Sequence, residues 1–304
     1  MAGMKILVTG STGLVGRHAA AMLHASGHEV IGAAHLPRSD QAFVSRAINL
    51  LEDGAATRLV SEIKPDVVLH LAWSTGHGIF WHDPQNLAWL ARTCELAEAA
   101  ADYGCRRICV AGTCYEYAFP AEGDCHEATT PTENHFLYDT AKDACRRLLT
   151  NFCMARGMSL AWGRLFHLHG PNEHPKRLVA SVARALARGE PASCSSGLVV
   201  RDYMHARDAG EAMAALAISP TEGVVNVASG VGATIASIAT MLGELSGRPD
   251  LIRLGALPDR ADEPPRIVAS VSRLRQEVGF TPRFGLTDGL ADSLAYWSRE
   301  AVNT

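Results

Sequence analysis

The feature that most restricts the fold is Thr9-Gly10-Ser11-Thr12-Gly13-Leu14-Val15-Gly16, three glycines spaced three apart between segments of opposite character. Before it, residues 4–9 are mostly apolar and partly β-branched. After it comes an Ala/Leu-rich stretch to Ser26, stopped by Gly27. That pattern predicts a strand, a tight turn and a helix. Missing β-carbons let the backbone turn sharply and the helix pack close to the sheet, and the helix N-terminus offers unpaired N–H groups to an anion. A turn of this kind predicts a seat for the pyrophosphate of a dinucleotide.

The rhythm then repeats. A strand is predicted at 29–34, a helix at 55–63, a strand at 66–71, a helix at 86–102, and strands at 107–111 and 160–164. Such alternation means parallel strands joined by helical crossovers, a doubly wound α/β sheet. With 304 residues, 47% of them hydrophobic, the chain has the means to bury it. Past Arg164 the rhythm breaks at Gly170-Pro171, Pro175, Gly189, Pro191 and Gly197. Helical patterns resume at 178–188, 206–218 and 234–246, and 257–266 reads as a proline-punctuated loop. The expected organisation is a dinucleotide-binding domain over 1–166 and a smaller α/β substrate-binding portion over 167–304, with about 200–228 returning to the first.

Other function classes are disfavoured. A net charge of -4 without a basic run predicts neither a nucleic-acid partner nor a membrane-surface helix. No apolar stretch approaches the ~20 residues that span a bilayer, and residues 1–10 do not resemble a secretion leader. The eight cysteines form no Cys-x-x-Cys pair, which predicts reduced thiols in the cytoplasm. The thirteen histidines lack the tight spacing of a metal site, so no metal is expected.

Cofactor choice is read at the end of the second strand. An acid there accepts from the adenosine ribose and excludes a 2'-phosphate. Here the strand ends Ile31-Gly32-Ala33-Ala34-His35, with Arg38 close behind. A small residue and two cations predict NADP in preference to NAD; the alternative is that His35 and Arg38 only cap a surface loop.

Tyr138 and Lys142 are four apart on a helical stretch running to about residue 155, so they share a face. An ammonium beside a phenol favours phenolate, which predicts a lowered phenol pKa and proton exchange with a hydroxyl or ketone. With six tyrosines and four lysines in the chain, only about 0.08 accidental Tyr-x-x-x-Lys matches are expected. Residues 108–113 read as a strand ending at Thr113, whose hydroxyl would stand in the ligand crevice of the sheet.

These residues, with Asp66-Val67-Val68-Leu69-His70-Leu71-Ala72, resemble the extended short-chain dehydrogenase/reductases, in the branch of nucleotide-sugar epimerases, dehydratases and reductases. The resemblance continues through residues 163–171 around Gly170-Pro171, Val200-Arg201-Asp202-Tyr203-Met204-His205, Asp208 and Arg260-Ala261-Asp262-Glu263-Pro264. It implies a Rossmann sheet, a homodimer and a nucleotide-sugar substrate. It also implies that Tyr138 is the acid/base, that Lys142 holds the nicotinamide ribose, and that Thr113 orients the substrate oxygen. Cofactor contacts would come from Gly10, Thr12, Gly13, Leu14, Val15, Gly16, His35, Arg38, Leu50, Leu71 and Ala72. Trp73, Cys114, Tyr115 and His167 would meet the substrate, and Arg201 and Arg260 match positions that clamp its diphosphate, as guanidinium forks suit phosphate. Either arginine read alone is equally an ordinary ion-pair partner.

The chain departs from that pattern in three places. Cys114 and Tyr115 replace the acid or small polar residue and the glutamate that dehydratases carry after the hydroxyl residue, and Glu116, one position later, would point to the opposite face of a strand-like path. That disfavours a 4,6-dehydratase. His167 replaces an asparagine and is expected to pack, to hydrogen-bond the substrate's phosphate, or to shuttle protons. Trp89 falls near an asparagine that braces the tyrosine, putting that bracing in question. The leading expectation is an NADPH-dependent reductase of a nucleotide-activated 4-keto-deoxysugar. A nucleotide-sugar 4-epimerase is the alternative, and an idle NADP-binding sensor is a third reading, opposed by the intact Tyr138 and Lys142.

Overall fold

The structure, a computed structural model, describes residues 3–37, 41–261 and 263–302. Strand β1 (Lys5–Thr9) leads through the glycine turn into α1 (Gly16–Ala25), followed by β2 (Glu29–Ala34), β3 (Val44–Ala47) and α2 (Ala55–Ile63). Then come β4 (Val67–His70), α3 (Gln85–Asp102), β5 (Arg107–Thr113), α4 (Leu137–Arg156), β6 (Ser159–Leu165) and β7 (His167–His169). The second half contains α5 (Leu178–Ala187), β8 (Ala192–Ser193), β9 (Val200–His205), α6 (Ala206–Ile218), β10 (Gly223–Val227) and β11 (Gly232–Thr234). It ends with α7 (Ile235–Leu245), β12 (Ile252–Arg253), β13 (Arg266–Ile267), α8 (Ser272–Gln276) and α9 (Leu286–Val302).

The main sheet has seven parallel strands in the order β10-β6-β5-β4-β1-β2-β3. Strand order reverses between β1 and β4, and in such sheets the ligand crevice opens beyond the carboxyl ends of those strands. Alternate residues supply two cores, as a strand's two-residue period requires. Ile6, Val8, Cys109 and Ala111 face one side, with Leu23 of α1 and Met213 of α6. Leu7, Ile108 and Val110 face the other, with Leu59 of α2, Leu96 of α3 and Leu149 of α4. This is the doubly wound Rossmann architecture.

A second sheet runs β11-β9-β13, with β7 joined to β9, over a core of Val182, Leu186, Ile238, Leu242 and Leu290. The chain crosses between the two layers more finely than the sequence pattern implies. Residues 200–205 pair in the second sheet, whereas β10 completes the first beside β6. Strand β3 has no sequence signature because it is a short edge strand with mostly exposed side chains. Among the described residues, no helix is long and apolar enough to cross a membrane.

Candidate active site

At the glycine turn, Gly10 takes φ +68°, and a β-carbon there would lie 2.9 Å from the Ala72 nitrogen; one on Gly16 would lie 2.1 Å from the Gly10 carbonyl oxygen. Side chains cannot occupy either point. Helix α1 begins without a side-chain cap, and the N–H groups of Arg17 and His18 turn back to the Gly13 and Val15 carbonyls. The turn has the shape and polarity of a pyrophosphate cradle.

A buried relay ties this turn to the next strand. Thr93 Oγ1 donates to the Trp89 carbonyl (2.7 Å) and so accepts from His70 Nε2 (3.0 Å). His70 Nδ1 is then the acceptor for the Thr9 hydroxyl (2.7 Å), whose oxygen takes the N–H groups of Leu71 and Ala72. Burial pulls the His70 imidazole down to about 3, so the relay stays uncharged. It holds the backbone of residues 71–72 beneath Gly10.

From there the chain enters a loop whose Trp73 donates its indole N–H to Asn86 Oδ1 (2.8 Å), while Asn86 Nδ2 donates to the carbonyls of Phe80 (2.8 Å) and Asp83 (2.9 Å). Trp81, in the same loop, accepts from the Tyr138 backbone N–H (3.1 Å). The bracing put in question at Trp89 is supplied by Asn86, almost one helical turn earlier. Trp89 instead stacks on Trp73, ring centroids 6.0 Å apart.

Thr113 closes β5 and accepts from the Tyr115 N–H (3.3 Å) as the chain turns into a 3₁₀ segment, Cys114–Glu116. That turn corrects the strand-like path assumed for Glu116. Its fully buried carboxylate bends beneath the site, accepting from the Thr113 N–H (2.9 Å), Trp162 Nε1 (3.0 Å) and Arg164 Nε (2.8 Å). It is committed to structure and does not line the cavity.

Tyr138 and Lys142 enter from the first turns of α4. Burial pushes the phenol above its usual range, and the nearby Thr113 hydroxyl opposes that rise. Burial pulls the Lys142 ammonium down to about 8. The expectation of a lowered phenol is corrected, because desolvation dominates; Lys142 Nζ donates to the Ala111 carbonyl (2.8 Å) and lies over the Trp73 ring.

These groups line one cavity of about 490 Å³. Gly10, Gly13, Leu14, Val15 and Gly16 form one end, with Leu71, Ala72 and Trp73 alongside. Thr113, Cys114, Tyr115, Tyr138 and Lys142 stand at the middle, and His167 and Arg260 lie beyond. Thr12, His35, Leu50 and Arg201 are not among the lining residues. Leu50 is packed in the core beside Ile31 and Ala33, and His35 is exposed. Arg201 is 2% exposed and pairs with Glu263 (2.8 Å). Arg38 lies outside the described residues. Sequence reasoning missed Trp81, Glu173, Arg177 and Tyr203, which also line the cavity. The described residues contain no group of three or more His, Cys, Asp or Glu side chains able to hold a metal.

Residues 6–228 match the NAD dependent epimerase/dehydratase family. The chain belongs to that family. It is thus an enzyme of the extended short-chain dehydrogenase/reductase type. It is 27% identical to the UDP-glucose 4-epimerase of Corynebacterium glutamicum over 92% of this chain and 91% of that protein. It is 28% identical to the dTDP-6-deoxy-L-talose 4-dehydrogenase (NAD(+)) of Aggregatibacter actinomycetemcomitans over 75% of this chain and 85% of that one. Among solved structures it resembles the Thermus thermophilus UDP-glucose 4-epimerase complex with NAD, at a TM-score of 0.85 and 25% identity, covering 97% of this chain and 99% of that one.

Proposed function

We propose that the protein transfers hydride between a nicotinamide dinucleotide and C4 of a nucleotide-linked sugar, running as an NADPH-dependent reductase of a 4-keto-deoxysugar. The observation that carries this reading is that Thr113, Tyr138 and Lys142 line one cavity whose end is the glycine turn. The turn suits a dinucleotide: Gly10 and Gly16 leave a cradle that β-carbons would fill, and the α1 N-terminus is uncapped. When bound, the dinucleotide supplies or removes hydride.

The protein's own residues handle the proton and the position. A phenol held neutral by burial is a proton donor to an oxygen that gains negative charge, and the Thr113 hydroxyl orients both partners. Lys142, charged through neutral pH, stabilises the phenolate left behind. The side chains after Thr113 offer no base for loss of water, since burial keeps Cys114 and Tyr115 protonated and Glu116 is bound to Arg164. NADP is favoured because β2 ends at Ala34 with no acid to exclude a 2'-phosphate; tighter binding of NAD than NADP in a titration would reverse that choice.

A 4-epimerase is the second reading. It is favoured by the similarity to the Corynebacterium glutamicum UDP-glucose 4-epimerase along nearly the whole chain, and it uses the same residues. Supplying NADPH with 4-keto-6-deoxy sugar nucleotides, and then fully hydroxylated sugar nucleotides without added cofactor, separates the two. Stoichiometric loss of NADPH supports the reductase. Inversion at C4 with no net consumption makes the protein an epimerase. The reading extends to a cytoplasmic homodimer: all eight cysteines are unbridged, and Leu87, Leu148 and Met154 leave apolar surface on α3 and α4.

A further inference from the structure

The wall of the cavity beyond Tyr115 holds a carboxyl that proton transfer at C4 does not use. Glu173 follows Gly170-Pro171-Asn172 in a turn closed by its N–H to the Gly170 carbonyl (3.2 Å). It lines the cavity, is 2% exposed, and its Oε2 has no hydrogen-bond partner. Leaving a buried polar atom unpaired is unfavourable, and a ligand supplying the partner would remove that cost. A second atom on the same wall shares the condition: His167 Nδ1 is buried and unpartnered. The Tyr203 ring couples the two side chains, 5.4 Å from the His167 ring and within electrostatic reach of Glu173. Tyr115 Oη approaches His167 Nε2 at 3.5 Å.

The charged and neutral groups here divide the work. Arg177 and Arg260 line the cavity and suit a diphosphate. The groups around Glu173 offer neutral hydrogen bonding: burial holds His167 down to about 3 and keeps the Tyr115 and Tyr203 phenols above their usual range.

We infer that Glu173 is a specificity-determining residue, its carboxyl giving a hydrogen bond to and taking one from a hydroxyl of the nucleotide-linked sugar. This rests on the nucleotide-sugar reading above. Burial raises the Glu173 carboxyl to about 8, against the opposing pull of Arg177 and of the Ala180 and Gly170 backbone. At neutral pH it is therefore both donor and acceptor, the complement of a hydroxyl. A site built to pair with a hydroxyl rejects an analogue lacking it. Above pH 8 the carboxyl ionises, loses its proton to donate, and stands in the same cavity as the substrate's negative diphosphate.

The test is calorimetric titration of the NADP-saturated protein and its Glu173→Gln variant with UDP-glucose and dTDP-glucose, each beside the bare UDP or dTDP, at pH 6.5 and 9.0. For the unmodified protein, the sugar nucleotide that binds should bind at least tenfold more weakly at pH 9.0, and its bare nucleotide less than threefold. In Glu173→Gln, which keeps Lys142 and every other titrating neighbour, the loss should shrink to that of the bare nucleotide. A pH loss that persists in the variant, that appears equally with the bare nucleotide, or that is absent from the unmodified protein overturns the assignment. If neither sugar nucleotide binds while NADP does, the nucleotide-sugar reading falls and the assignment falls with it. Should Glu173→Gln fail to fold, Glu173→Asp keeps the acid and shortens its reach: weaker sugar-nucleotide binding at pH 6.5 with unchanged bare-nucleotide binding supports the assignment, and unchanged binding of both overturns it.

Discussion

Lys142 holds its ammonium 3.7 Å above the centre of the Trp73 ring. A desolvated cation over an indole face gains about 2 kcal/mol, enough to offset part of the burial that pulls this lysine down to about 8. Trp73 thereby helps to keep charged the group one helical turn from Tyr138.

Replacing the ring should expose that dependence. Trp73→Leu keeps the site apolar but removes the π face, so the ammonium should lose its proton at lower pH. The alkaline limb of the turnover profile should move toward neutrality by roughly one pH unit, while Trp73→Phe, which keeps a ring, should shift less. Superimposable profiles for all three proteins would show that the ring does not support the charge.

Gly16→Ala should damage the fold and cofactor binding together. The added carbon would sit 2.1 Å from the Gly10 oxygen and 2.8 Å from its carbonyl carbon, both backbone atoms. Overpacking of this kind costs about 1–3 kcal/mol, and the turn must open to accommodate it. Thermal melts should fall, and dinucleotide affinity should drop at least tenfold. Unchanged affinity would remove the turn from the cofactor site.

The two arginines should behave differently. Arg260 is exposed and lines the cavity, so Arg260→Ala should weaken nucleotide-sugar binding by ~1.5 to 3 kcal/mol without altering the melting temperature. Arg201 is buried against Glu263. Arg201→Ala should lower the melting temperature as well, because it removes a buried guanidinium that holds Glu263 and the Val200 carbonyl. Equal melting temperatures in the two variants would contradict this division.

Glu173 predicts a pH-dependent stability. Its carboxyl is raised from 4.5 to about 8 by burial, so between those values the native state binds more protons than the unfolded chain. Stability then falls as pH rises through that window. Glu173→Gln carries no such proton, and its melting temperature should gain on the unmodified protein from pH 5 to pH 8. A constant difference across that range would show the carboxyl ionised throughout.

What the sequence makes legible here is local spacing. The glycine turn and the Tyr138–Lys142 pair depend on residues within one turn of backbone, and the alternation of apolar runs specifies a parallel sheet. Contacts made across the fold are not legible in that way. Glu173, between Asn172 and His174, reads as solvent loop until burial is known. Asn86 reads as an ordinary helix start until its amide is seen to hold the Phe80 and Asp83 carbonyls. Extending the geometry of β5 three residues too far misplaces Glu116, because the capping by Thr113 converts the path to a 3₁₀ turn. Trp73 shows no sign in sequence that a lysine 69 positions later lies on its face.

The central claim is hydride transfer at C4 with the proton from Tyr138. It is tested most directly by supplying NADPH deuterated at the reactive nicotinamide carbon together with dTDP-4-keto-6-deoxyglucose, and reading the product by NMR. The account predicts deuterium at C4 of the sugar, with the rate falling on the order of 10² to 10⁴ in Tyr138→Phe, as loss of a positioned proton donor does, while cofactor affinity is kept. Deuterium absent from C4, or a Tyr138→Phe variant that reduces the ketone at the original rate, would contradict it.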